Sequence, residues 1–530
     1  MLFLSRSALL AIFGVISAAA WKDHCEKFTA SIPNVVLEAT YYAPGALVNL
    51  TSPSSAVLTT KLPAFCRLAL TITTNTTSGN QALTEVWMPD DWNARLLGFG
   101  NGGLSGGVVY SALADDGISQ GYSSFSTNTG HQSDIGHAGW AWNDTNAQED
   151  FGYRAFQLSY QAAKSLTEEY YGKSILKKYY LGCSTAGRMG LVEAQRFPED
   201  FDGIVVGSPA NPVARLASWN IHMGRQVLPV NGSRWIPEEL WPVIHAEVLK
   251  QCDGLDGVMD GVLDDPRQCL FRPEAIACGP SSNSSTCLTL DQIAALRGLY
   301  TDWYSQNGTF LFSGWDVGGE LAYGGPYSYA SGPDIPIGPE YYKYFIFGNP
   351  DWEYNTLTES DIFRAIETNP GQVDNNGYNY TSYFTRGGKL LHYVGLADQV
   401  ISAGNSYVTY NSISAFTTAY TNLDVNDHYR FYPVPGMYHC NGGVGANAFG
   451  GDGQRTSGMP PLIRDSKHDI LTAMVDWVEN GNAPTDLIAA KYTNNNSTQG
   501  IEFTRKLCPY PQKGVYQGGD QNSSNSFVCQ

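Results

Sequence analysis

Ser184 stands in the run Gly182-Cys183-Ser184-Thr185-Ala186, followed by Gly187-Arg188, and a His439-Cys440 pair lies far downstream. A serine on a tight turn after an apolar strand, with a histidine after a later strand, can transfer an acyl group. The imidazole takes the hydroxyl proton and the oxygen attacks a carbonyl carbon. Each residue has a cysteine beside it. A bridge between Cys183 and Cys440 would bring hydroxyl and imidazole within reach, because a disulfide holds its Cα atoms roughly 4.4–6.8 Å apart. These residues predict a serine esterase.

The elbow chemistry demands the chain order serine, acid, histidine, each on a loop beyond the end of a strand. Of the downstream histidines, His392 falls inside an apolar run, His428 at the start of one and His468 at a helix start. Only His439 follows a strand at the right edge. Asp398 closes Tyr393-Val394-Gly395-Leu396-Ala397-Asp398 and is the expected acid, ahead of Asp424 and Asp427, whose surroundings are polar. A tetrahedral intermediate also needs backbone donors for its oxyanion. Thr185 N–H is one, and the loop Gly100-Asn101-Gly102-Gly103 offers the other, with Gly103 favoured over Gly102.

A second constellation is Asp253-Gly254-Leu255-Asp256-Gly257-Val258-Met259-Asp260-Gly261-Val262. Calcium takes six to eight oxygens at roughly 2.3–2.6 Å from carboxylates and backbone carbonyls. Asp253, Asp256 and Asp260, with the carbonyls of Val258 and Val262, would supply them. The spacing is not that of an EF-hand, and no histidine is near, so the expected Ca2+ is structural. Cys252 and Cys269 flank the loop and could staple it.

The elements that must carry these residues are legible as short apolar runs ending in glycine or polar loops. They are 95–99, 122–125, 179–181, 204–206, 390–394 and 429–434, and they read as strands of a largely parallel sheet. Helical patterns alternate with them. One, over 151–171, ends at Gly172; another follows Ser466-x-x-Asp469, which resembles a capping box. The expected fold is an α/β-hydrolase with an inserted lid. Residues 21–211 and 389–530 form the catalytic domain, and 212–388, where the alternation fades into Trp, Tyr, Gly and Pro, form the lid carrying the aspartate loop.

Arg6, the apolar run 8–16 and Ala18-Ala19-Ala20 have the pattern of a secretory signal over residues 1–20, too short to span a membrane. Ten cysteines and Asn-x-Ser/Thr sites at Asn49, Asn75, Asn143, Asn231, Asn283, Asn307, Asn379, Asn495, Asn496 and Asn522 fit an exported glycoprotein. A net charge of -18 argues against nucleic acid and anionic membranes as partners.

With the Cys-Ser pair, the aspartate, the His-Cys pair and the aspartate loop assembled, the sequence resembles the fungal tannase and feruloyl esterase family over almost the whole mature chain. That resemblance implies an α/β-hydrolase domain, a lid carrying one calcium, and hydrolysis of phenolic-acid esters, small molecules or groups borne on plant cell-wall polysaccharide. It implies Ser184, Asp398 and His439 as the triad and the aspartate-loop residues as metal ligands. It also implies the pairs Cys25–Cys66, Cys183–Cys440, Cys252–Cys269, Cys278–Cys287 and Cys508–Cys529, which sequence alone leaves open. The family usually has glycine where this chain has Ala186. The chain has no Lys-Arg dipeptide, the processing site of some tannases, which favours feruloyl esterase over tannase. A catalytically silent carbohydrate-binding protein on the same fold is the remote alternative.

Overall fold

The computed structural model describes residues 18–29, 32–33, 35–280, 285–325, 328–330, 337–375 and 377–530. The charged and apolar parts of the expected signal segment and the site at Asn283 lie outside them. Ala18–Ala20 are the first turn of a helix, Ala18–Glu26, tied to the body by the Cys25–Cys66 disulfide.

Nine strands form one sheet: β1 Val35–Tyr42, β2 Phe65–Asn75, β3 Asn80–Pro89, β4 Arg95–Phe99, β5 Ser123–Thr127, β6 Lys177–Cys183, β7 Gly203–Gly207, β8 Lys389–Gly395 and β9 Tyr429–Val434. Their spatial order is β1-β2-β3-β5-β4-β6-β7-β8-β9. The six from β5 to β9 run parallel, and β1, β2 and β3 join as an antiparallel meander. All six expected strands are present within two residues of their predicted ends. The meander was not anticipated, although β2 alternates clearly: Leu68, Leu70 and Ile72 are buried, while Arg67, Ala69 and Thr71 are less so.

Both faces of the parallel strands are covered, so adjacent residues serve opposite cores. Tyr180, Ile204, Val206, Leu390 and Phe431 join one apolar cluster. Tyr179, Leu181, Val205, Leu391 and Tyr432 join the other. The first face receives α1 Ala155–Tyr171, α2 Thr185–Arg196 and α4 Ala403–Tyr420; the second receives α5 Ile470–Asn480. Gly172 ends α1 at φ +59°, the left-handed cap its sequence position predicts, while a π segment, Asp150–Arg154, precedes the helix. The capping box expected at Ser466 does not form. Asp469 is itself the N-cap of α5, accepting from Thr472 N–H at 3.0 Å.

Between β7 and β8 the chain leaves the sheet. Here α3, Val213–Val227, and the helices Trp241–Cys252 and Leu290–Tyr300 pack around Trp219, Trp241, Leu296, Phe312, Trp315 and Tyr323. This separate core explains why strand periodicity is lost there. All five expected disulfides form.

Candidate active site

The four loops carrying the predicted residues leave the carboxyl ends of parallel strands: Gly100–Gly103 after β4, Ser184 after β6, Asp398 after β8 and His439 after β9. A parallel sheet gathers such loops at one edge, where its ligand crevice lies. Ser184 occupies the turn between β6 and α2 at φ 65°, ψ -126°, a conformation that costs a non-glycine residue on the order of 1–3 kcal/mol. Its N–H donates to Gly207 O at 2.9 Å, and its carbonyl accepts from Arg188 N at 3.0 Å and Ala210 N at 2.9 Å.

Room for this turn comes from glycines. A Cβ on Gly182 would lie 2.7 Å from the Ala186 methyl, and one on Gly100 would lie 2.9 Å from it. Ala186 therefore fits because its neighbours lack side chains. Arg188, fully buried, donates to the carbonyls of Gly152 (2.8 Å), Val373 (3.2 Å) and Phe151 (3.3 Å), joining α2 to the end of the insertion. Burial pulls its guanidinium down to about 10.

The Cys183–Cys440 disulfide, with Cα atoms 6.0 Å apart, puts the residue before the serine beside the residue after the histidine. Ser184 and His439 line one cavity of about 690 Å³ together with Cys183, Cys440 and Gly103. His439 Nδ1 is 2.8 Å from Asp398 Oδ2. The other Asp398 oxygen accepts from Val400 N (2.8 Å) and Ile401 N (2.9 Å), and the residue is 1% exposed. A carboxylate fixed in this way orients an imidazole and sets its tautomer. By contrast His392, the strand histidine, is wholly buried between Tyr429 OH (2.8 Å) and Ser406 Oγ (3.1 Å), and burial pushes it down to about 3. It is a core residue.

The two expected oxyanion residues are linked. Thr185 Oγ1 donates to Gly103 O at 2.9 Å, which fixes the glycine loop to the first turn of α2. Gly103 has φ +56°, and a Cβ there would meet Ile135 O at 2.6 Å, so the loop requires glycine at this point.

The aspartate loop closes on itself. Asp253 Oδ1 accepts from Gly261 N, Asp256 Oδ1 from Val258 N, and Asp260 Oδ1 from Val262 N, at 3.0, 2.9 and 3.1 Å. Burial first, and Asp260 among the other causes, raise both Asp253 and Asp256. Asp260 Oδ2 is turned to the Arg505 guanidinium. Among the described residues no three His, Cys, Asp or Glu side chains converge at coordinating distances. The donors fit a hard cation in kind, with Asp260 shared with Arg505.

Residues missed from the sequence include Asp452, whose Oδ2 accepts the Cys183 N–H at 2.9 Å, and Gln399, whose Oε1 accepts from His439 N at 3.2 Å. Gln399 neighbours Asp398 and could have been suspected. Asp452 lies in an irregular loop and carries no periodic signal.

A family model described as tannase and feruloyl esterase matches residues 66–530. The chain is 34% identical over 528 residues to a probable feruloyl esterase B-2 of Aspergillus oryzae, covering 97% of this chain and 96% of that one. The crystal structure of feruloyl esterase B from Aspergillus oryzae superposes with a TM-score of 0.89 at 33% identity, covering 96% of this chain and all of that one. A tannin acyl hydrolase from Aspergillus niger shares the fold, with a TM-score of 0.71 at 20% identity over 97% of this chain and 95% of that one.

Proposed function

The chain belongs to the tannase and feruloyl esterase family, and from that premise we propose that it is a secreted carboxylic ester hydrolase acting on feruloyl-type phenolic esters through Ser184, His439 and Asp398. The observation that carries the proposal is the 2.8 Å contact between His439 and Asp398 on a loop that the Cys183–Cys440 bridge ties to the serine.

In the proposed reaction His439 Nε2 takes the Ser184 proton as Oγ bonds to the ester carbonyl carbon. Negative charge passes to the carbonyl oxygen, where the N–H groups of Thr185 and Gly103 receive it. The intermediate collapses, the ester C–O bond breaks, and the imidazolium gives its proton to the departing alcohol. Water then repeats the cycle against the acyl-serine and frees the aromatic acid. Asp398 stays ionised throughout and supports the imidazolium.

The insertion over 212–388 serves as the lid, its α3 roofing the cleft beside Ser184. Asp253, Asp256 and Asp260 with the carbonyls of Val258 and Val262 would hold one Ca2+, which would stiffen the loop without taking part in the chemistry. Five disulfides support an extracellular location.

Parallel assays on methyl ferulate, methyl gallate and an aliphatic ester test the substrate assignment. A kcat/KM highest on methyl ferulate is expected. A preference for methyl gallate would make the enzyme a tannase, and activity confined to the aliphatic ester would remove the phenolic assignment.

A further inference from the structure

Beside Ser184 a narrow cleft of about 30 Å³ runs under the lid, and it shares Gly103, Ser184, Tyr329 and Val400 with the large cavity. In this measure about 10–15 Å³ holds one water. The cleft therefore has room for the oxygen substituents of a ring lying in the larger cavity. Its walls are apolar over most of their area, with Leu216 and Ala217 of α3 among them. Asn220, one turn further along α3, interrupts that surface.

Asn220 is 0% exposed, yet among the described residues neither its Oδ1 nor its Nδ2 has a hydrogen-bond partner. The Tyr329 hydroxyl lies alongside, near enough for Asn220 to oppose the burial that raises that phenol, but outside hydrogen-bonding geometry. Arg188 also borders the cleft, but its Nη groups are committed to backbone carbonyls. A buried amide with both functions unmet is costly, and such groups in native proteins have partners or a reason. No packing role needs an amide here, since leucine would match the surrounding wall.

We infer that Asn220 recognises the ring hydroxyl of the acyl group, an inference that rests on the esterase reading above. Its Oδ1 accepts the phenolic O–H, and its Nδ2 donates to the oxygen substituent next to it on the ring. Asn220 thus selects acyl groups that bear a hydroxyl para to the side chain. A site built to bond a hydroxyl rejects the analogue lacking it far more strongly than an apolar pocket rejects a missing methylene.

The test compares wild type and Asn220→Leu on methyl ferulate, methyl 4-hydroxycinnamate and methyl cinnamate. Wild type is expected to favour the hydroxylated esters in kcat/KM by about 100-fold or more. Asn220→Leu should lower kcat/KM on those two by at least about tenfold while holding or raising it on methyl cinnamate. A wild type indifferent to the ring hydroxyl overturns the inference, even if the leucine variant does not fold. So does an equal fractional loss on all three esters. A wild type inactive on every cinnamate but active on aliphatic esters overturns the phenolic-ester reading as well, which keeps the two failures distinct.

Discussion

The backbone N–H of Cys183 donates to Oδ2 of Asp452 at 2.9 Å, across 269 positions of sequence. The turn that carries Ser184 is thus held by a buried carboxylate from a loop near the end of the chain. That loop is anchored in turn: Asp452 N donates to Tyr393 OH at 3.0 Å, and Arg455 Nε donates to Asp116 at 2.8 Å.

Burial pushes the Asp452 carboxyl up to about 6 from an ordinary 3.8, against the Cys183 and Gly453 N–H groups that hold it down. Between these values the folded state binds more protons than the unfolded one, so this group's contribution to stability falls as pH rises from about 4 to 6. Asp452→Asn removes that term and keeps an oxygen for Cys183. Its unfolding free energy relative to wild type is expected to be higher at pH 8 than at pH 4 by on the order of 3 kcal/mol, read from denaturant unfolding at the two pH values. A pH-independent difference would contradict the assignment.

The Thr185 hydroxyl ties the glycine loop to α2. Thr185→Val keeps the shape and removes the bond to Gly103 O. Loss of a whole oxyanion donor costs roughly 10²–10³ in kcat, so loosening one should cost about tenfold, in kcat and not in KM. A rise in KM with kcat unchanged would assign Thr185 to substrate binding instead.

The Cys183–Cys440 bridge closes a sequence separation of 257 residues. Replacing both cysteines by alanine should cost about 2–5 kcal/mol of stability and depress kcat by a larger factor than the folded fraction falls at assay temperature. Unchanged kcat in the folded protein would make the link a staple without influence on the reacting groups.

Calcium at the aspartate loop is expected at one ion per chain by elemental analysis. Chelation should lower Tm by about 5 °C, the effect of a ligand at ~100 times its Kd on a large domain, while turnover at 25 °C persists. Asp256→Asn should reproduce the loss of metal and of Tm. A Tm unmoved by chelation would contradict the site, and immediate loss of turnover in a folded protein would contradict its structural role.

The parallel strands and the Ser184, Asp398 and His439 positions were legible because each rests on local signals: an apolar run, then glycine or a polar turn, then one reactive side chain. The meander of β1–β3 carried a local signal too, the alternation of β2, but no reactive residue drew attention to it. Ser466 was misplaced because Asp469 can cap a helix by itself. Asp452 and Asn220 were invisible for another reason. Their roles come from contacts between segments far apart in sequence, and neither residue type nor spacing reports what the fold will bring near.

Ser184 is proposed as the nucleophile that His439 and Asp398 activate. Hydrolysis of methyl ferulate by wild type and Ser184→Ala, with mass-spectrometric mapping of a serine-directed phosphonate, tests it most directly. The expected result is one adduct per chain on the Ser184 peptide, absent from the variant, with kcat lowered at least about 10³–10⁴-fold. Equal rates in the two proteins, or labelling that survives the substitution, would contradict it.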